Sequence, residues 1–270
     1  MDARTFLGME PQGDDLHWRM RVEPQLTTPG NFLFGGCGLG AALVALEGAS
    51  GRPTVWATGQ YLSYAPTHST LDWEVTLAVV GGHVTQGRAV GTVDGQEILT
   101  VNAALGKDEL DAGGIWVEPP EVPGPDECPP RFLPDMFRNT IMDKVDVRTA
   151  KGRMFEEMHG QPGNPDSALW ARVPGHLSPS AATLAIFGDY VSGAVSQPLG
   201  KRAMGRSLDN TLRVVQLKQT EWVLCDIRMH ALVGGYAQGI AFLWSEDGEL
   251  LATASQSTAV RLWPEDLELR

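Results

Sequence analysis

Most residue types able to carry covalent or metal chemistry occur in this chain without the neighbours that such chemistry needs. Cysteines stand only at positions 37, 128 and 225. An odd, sparse set with no CxxC pair and no Cys/His cluster argues against a disulfide framework and a structural zinc, and for a reducing compartment. Cys37 sits in a Gly/Ala-rich run, where a buried thiol packs as a small hydrophobe. His68, His83, His159 and His176 are scattered through turns and polar stretches and form no ligand pattern. Ser192 precedes Gly193 without the G-x-S-x-G spacing of a nucleophile elbow. Gly36-Cys-Gly38-Leu-Gly40 is glycine-rich, but the spacing is not G-x-G-x-x-G and no crossover to a parallel strand follows. Close helix–sheet packing is therefore a better reading than nucleotide binding. Lys201, Arg202 and Arg206 form a local basic patch in a chain of net charge −12. That balance opposes non-specific binding to nucleic acid and to anionic membranes, yet the patch suits a small phosphorylated ligand.

The elements that must position such groups fall into two sets. Residues 111–134, DAGGIWVEPPEVPGPDECPPRFLP, are rich in Pro, Gly and acids and follow neither structural period, so they read as a linker. They separate a first unit, residues 1–110, from a second, residues 135–270. In the first unit, residues 15–22 read as a strand and 34–47 as a helix with a glycine-rich start. Residues 55–64, 71–80, 84–93 and 97–105 follow as four strands. Gly81-Gly82 and Asp94-Gly95 mark hairpin turns, which need the positive φ that glycine accepts. The second unit repeats the order. Strand material lies in 141–156 and 167–173, a helix over 179–187 with Ser178 as N-cap, then strands over 207–217, 222–232, 238–245 and 250–263. Gly234-Gly235 and Asp247-Gly248 supply the matching turns, and Asp72-Trp73 matches Glu221-Trp222. The shared order points to an internal duplication.

A helix followed by a long antiparallel meander has a direct physical solution: the sheet curls around the helix and buries its apolar face there. Gly35, Gly36, Gly38 and Gly40, with Ala41 and Ala42, would let the sheet approach the helix backbone closely. Two such units can pair edge to edge and cover each other's exposed strands. Residues 239–263 also resemble one propeller blade, but a single copy cannot close a propeller. There is no leader pattern and no apolar run of the roughly 18–20 residues a membrane span requires, so a soluble cytoplasmic protein is expected.

Taken in order, these features resemble acyl-CoA thioesterase II. FGG at 34–36, the small-residue helix after it and NAAL at 102–105 look like the family's first hotdog. WAR at 170–172, LAIFGD at 184–189, SLD at 207–209, EWVL at 221–224, DGELLA at 247–252, SQ at 255–256 and Arg261 look like its second. The resemblance implies an α+β double hotdog, two antiparallel sheets each wrapped around a central helix and joined into one continuous sheet. It also implies hydrolysis of the acyl-CoA thioester by a water that an Asp, a Thr or Ser, and a Gln position. The matching positions are Asp209, His230 and Gln256, with His230 falling where the family keeps a hydroxyl.

In that scheme Asp209 is the general base, Gln256 orients the water through its amide, and His230 shares the base role or donates to the water. Backbone N–H groups near Gly35 and Gly36 would polarise the thioester carbonyl. Lys201, Arg202 and Arg206 would meet the substrate's phosphates. No cofactor or metal is implied, the partner is acyl-CoA, and further dimerisation stays open. Two other readings stay open: a hotdog hydratase or dehydratase of enoyl thioesters, which pairs an Asp with a His, and an acyl-CoA-binding protein with a decayed site. Gln60, Gly81 and Ala103 are the first-unit counterparts of the trio, so the chemistry is expected on one side only.

Overall fold

The computed structural model describes residues 1–108, 110–175 and 177–264, so His176 lies outside the described residues. The first half contains α1 (Ala3–Leu7), β1 (Glu10–Pro11), β2 (His17–Arg21), α2 (Gly35–Ser50), β3 (Thr54–Tyr61), β4 (Thr70–Val80), β5 (Val84–Val93) and β6 (Gln96–Gly106). The second contains α3 (Ile141–Lys144), β7 (Asp146–Lys151), β8 (Asp166–Arg172), α4 (Ala181–Gly188), α5 (Ser196–Leu199) and β9 (Ala203–Ser207). It continues with β10 (Asp209–Val214), β11 (Val223–Val233), β12 (Tyr236–Ser245) and β13 (Leu250–Leu262).

One antiparallel sheet holds them all, in the order β1-β2-β4-β5-β6-β3-β10-β13-β12-β11-β8-β7, with β9 paired to β13. The halves meet at β3 and β10, where Gly59 faces Asn210 and Gln60 faces Asp209. This is the expected double hotdog. In both halves the strand after the helix leads to the meander, and α2 and α4 lie in the curl of the sheet. Both helices are apolar nearly all round: Cys37, Leu39, Leu43 and Leu46 on α2 and Leu184, Ile186 and Phe187 on α4 are buried in one core shared by the halves.

The duplication reaches irregular detail. β4 carries a one-residue bulge at Ala78, between the pairs Leu77–Gly87 and Val79–Gln86. β11 carries one at His230, between Met229–Gly239 and Ala231–Gln238. Bulges of this kind turn one side chain out of the alternating pattern.

Three expectations need correction. The helix glycines admit the other helix more than the sheet. A Cβ at Gly36 would stand 2.8 Å from Ala185 O, and one at Gly40 2.9 Å from Ala182 O, so a four-residue stripe on α2 seats the backbone of α4. The N-cap of α4 is Ser180, whose Oγ accepts from Thr183 N at 3.1 Å, while Ser178 lends only its carbonyl. The strand expected from residue 207 is broken at Leu208, with β9 on one side and β10 on the other. The segment 111–134 has no strand or α-helix, is exposed over residues 111–119, and is anchored further on. Pro123 O accepts from Trp170 Nε1 at 2.9 Å, and Cys128 is buried with Trp170, Trp222 and Trp244 against the outer sheet face.

Candidate active site

The polar centre of the molecule lies where the N-terminus of α2 meets the C-terminal end of α4. As α4 ends it tightens into a 3-10 turn, Asp189–Val195, whose first residue is a 3% exposed aspartate. Asp189 Oδ2 accepts from Gly36 N at 2.7 Å. A carboxylate of the second half thus caps the first half's helix, where the dipole favours negative charge. Asp189 Oδ1 accepts from Gln256 Nε2. The Gln256 amide is fixed in orientation, because its Oε1 accepts from Ser192 N at 3.0 Å, and its Nε2 also reaches Ser207 Oγ at 3.2 Å. Asp189, Ser207 and Gln256 therefore form one connected group. Burial pushes the Asp189 carboxyl up to about 7, against the opposing pull of the Gly36, Gln256, Ser207 and Asn210 contacts.

Asp189, Ser207, Gly35 and Tyr61 open on a cavity of about 530 Å³. Its apolar wall includes Leu33, Phe34, Leu99, Leu169 and Ile227 from both halves. The segment after residue 129 supplies a further wall through Phe132, Leu133 and Phe137. The charged lining among the described residues is Arg131, Lys151, Arg153, Arg206 and Arg261, with Asp189 as its acidic member. In a chain of net charge −12 this is a local reversal of sign that suits an anionic ligand with an apolar tail.

The expected trio is not brought together. Gln256 is in the group, buried at 3% exposure. Asp209 is turned aside by the break at Leu208, and its Oδ1 accepts from Ser257 N at 2.6 Å. His230 is exposed on its bulge, while Met229 faces inward opposite Gly239. Asp209 and His230 sit on β10 and β11, which β13 and β12 separate. Three strand spacings put them roughly 14 Å apart. A hydroxyl does stand in the group: Ser207, two residues before Asp209, beside Gln256. The signal for both missed residues was in the matched runs LAIFGD and SLD.

The other expected residues divide. Gly35 lines the cavity, and its N–H, the first of α2, meets no acceptor among the described residues. The Gly36 N–H is already engaged by Asp189. Arg206 lines the cavity, whereas Arg202 donates to Phe155 O at 3.4 Å and lies over the Phe155 ring, and Lys201 is exposed outside the lining. Among the described residues no cluster of His, Cys, Asp or Glu could hold a metal ion, and no helix is long and apolar enough to cross a membrane.

The family model of the acyl-CoA thioesterase C-terminal domain matches residues 125–260. A candidate thioesterase from Novosphingobium aromaticivorans is 34% identical, covering 92% of this chain and 97% of its own, with a TM-score of 0.83. A hot dog fold protein from Alicyclobacillus acidocaldarius is 18% identical over 97% of this chain and 98% of its own, with a TM-score of 0.82. Acyl-CoA thioesterase II TesB2 from Mycobacterium marinum is 19% identical over 98% of this chain and 100% of its own, with a TM-score of 0.73. No curated protein matches the chain.

Proposed function

The chain belongs to the acyl-CoA thioesterase family of TesB-like double hotdogs, and on that premise we propose that it hydrolyses acyl-CoA to free acid and CoA through Asp189, Ser207 and Gln256. The observation that carries the reading is the hydrogen-bonded group of those three side chains, of which Asp189 and Ser207 line an apolar cavity whose lining also carries several cations. The ionised Asp189 takes a proton from water, whose oxygen attacks the thioester carbon. Ser207 Oγ holds that water, and Gln256 Nε2, whose two N–H groups are taken by Asp189 and Ser207, holds that pair in place. The tetrahedral intermediate collapses with loss of the CoA thiolate, which takes the proton back from Asp189. No covalent acyl-enzyme is needed. Arg206 and the neighbouring cationic lining receive the substrate's phosphates, and the acyl chain enters the apolar cavity. Its setting is cytoplasmic lipid metabolism, consistent with three cysteines that are all unpaired and buried.

The hydratase reading required Asp209 to work with His230, and the separation of β10 from β11 removes its support. A panel of acyl-CoA chain lengths, followed by free CoA release, tests the proposal. Asp189→Asn lowers kcat by about 10²- to 10⁴-fold, the range of a lost general base. Asp209→Asn continues to turn over. A folded Asp189→Asn protein with undiminished CoA release would end the scheme.

A further inference from the structure

Two buried polar side chains border Asp189 without completing any hydrogen bond. Tyr61 is the last residue of β3, and its hydroxyl oxygen is sealed from solvent with no partner. Asn210 on β10 is 1% exposed, and neither its amide oxygen nor its nitrogen is paired. Asn210 lies near enough to Tyr61 and Asp189 to favour their charged forms, yet meets neither at hydrogen-bonding geometry. Unpaired groups of this kind each cost about 1–3 kcal/mol, so their retention beside the Asp189 carboxyl points to a use other than packing.

Tyr61 and Asp189 meet at Gly35. A Cβ there would stand 2.9 Å from Asp189 Oδ2 and 3.0 Å from Tyr61 Oη, so both oxygens lie against the Gly35 backbone, closer than any side chain at residue 35 would allow. The same residue carries the first N–H of α2, for which no acceptor is found among the described residues. Tyr61 and Gly35 also line the apolar cavity. The Gly35 backbone and the Tyr61 hydroxyl thus lie together beside the buried carboxylate, on residues that both line the cavity.

We propose that Tyr61 is a catalytic residue, its hydroxyl donating to the thioester oxygen together with Gly35 N–H, so that the first half supplies a two-donor oxyanion site to chemistry carried by the second. The proposal rests on the hydrolytic reading of the same cavity and adds to it the group that stabilises the intermediate. Burial, then the neighbouring Asp189 charge, push the Tyr61 phenol well above its ordinary value, so it remains a donor across the working pH range. The donors are aimed at charge that develops only as water adds, which is where a fixed hydrogen bond accelerates the reaction.

Tyr61→Phe tests this with the ring kept in place. Removing an unpaired buried hydroxyl leaves the fold as stable as before, which a melting curve checks. Loss of one such donor lowers kcat by about 10²- to 10³-fold, with KM little changed. A second measurement is independent of turnover. In an Asp189→Asn background, the infrared carbonyl band of bound ¹³C-thioester acyl-CoA moves to higher frequency when Tyr61 is also replaced by Phe. If the wild-type protein releases no CoA but the band moves, hydrolysis is refuted and the Tyr61 donor stands. If turnover is normal and neither kcat nor the band responds to Tyr61→Phe, the donor is refuted and hydrolysis stands. Failure of acyl-CoA to bind refutes both.

Discussion

Asp189 is asked to be a base while buried, and the two demands oppose each other. Its carboxyl is pushed up to about 7 by loss of hydration, so much of it is neutral below that pH. Only the ionised form can take a proton from water, so kcat rises with pH and levels off above about 7. A rate that is flat from pH 5 to 9 would remove Asp189 from the base role. The same shift has a stability consequence. The native carboxyl holds its proton up to about 7, whereas the unfolded chain releases it in the ordinary carboxylate range, near 3.8. Between those values the folded state binds more protons, so stability from this group is full below that range and falls as pH rises through 7. Asp189→Asn removes the titration and keeps an acceptor for Gly36 N–H. The wild type loses a few degrees of melting temperature between pH 5 and pH 8 that the variant keeps, measurable by thermal unfolding in both buffers.

The family resemblance singles out Gln256 but not its partners. Ser207 and Asp209 are two apart, and in an unbroken strand both would face one side. The break at Leu208 turns one to the cavity and the other to Ser257 N, and nothing local in SLD announces it. His230, reached by counting from Trp222, is itself the bulged residue, and counting along the chain does not reveal a bulge.

Strands and helices were readable where period, turn glycines and apolar runs agreed, as in β4, β5 and α2. What a helix packs against is a tertiary fact, and the Gly36/Gly40 stripe shows the difference. Replacing a helical glycine by alanine ordinarily stabilises by about 1 kcal/mol. At Gly40 the new Cβ would stand 2.9 Å from Ala182 O, a backbone atom that cannot swing aside. Overpacking of this kind costs about 1–3 kcal/mol and outweighs the propensity gain. Gly40→Ala therefore unfolds at lower urea with its m-value unchanged. A higher midpoint would mean that α2 and α4 are not in close contact. The positioning of Asp189 depends on the same contact, since α4 delivers it to the N-terminus of α2.

The whole molecule holds its site across the seam between its halves. Asp189, Ser207 and Gln256 come from the second half, while the helix start they face comes from the first. The seam is a full antiparallel pairing of β3 with β10, reinforced by the Thr58–Thr211 hydroxyl contact at 2.7 Å. One apolar core includes Leu39 and Val101 from one side and Leu184 and Leu212 from the other. Separate melting would expose the edges of β3 and β10, strip the α2–α4 contact and leave Asp189 without its Gly36 donor. Each of those losses is paid before the remaining half gains any freedom, so partial unfolding is disfavoured relative to complete unfolding. Calorimetry is then expected to give one transition, with calorimetric and van't Hoff enthalpies in agreement. Near-ultraviolet dichroism, reporting buried tryptophans such as Trp73 in the first half and Trp244 in the second, falls at the same temperature. Two resolved transitions would show that the duplicated units melt independently and that the shared sheet does not couple them.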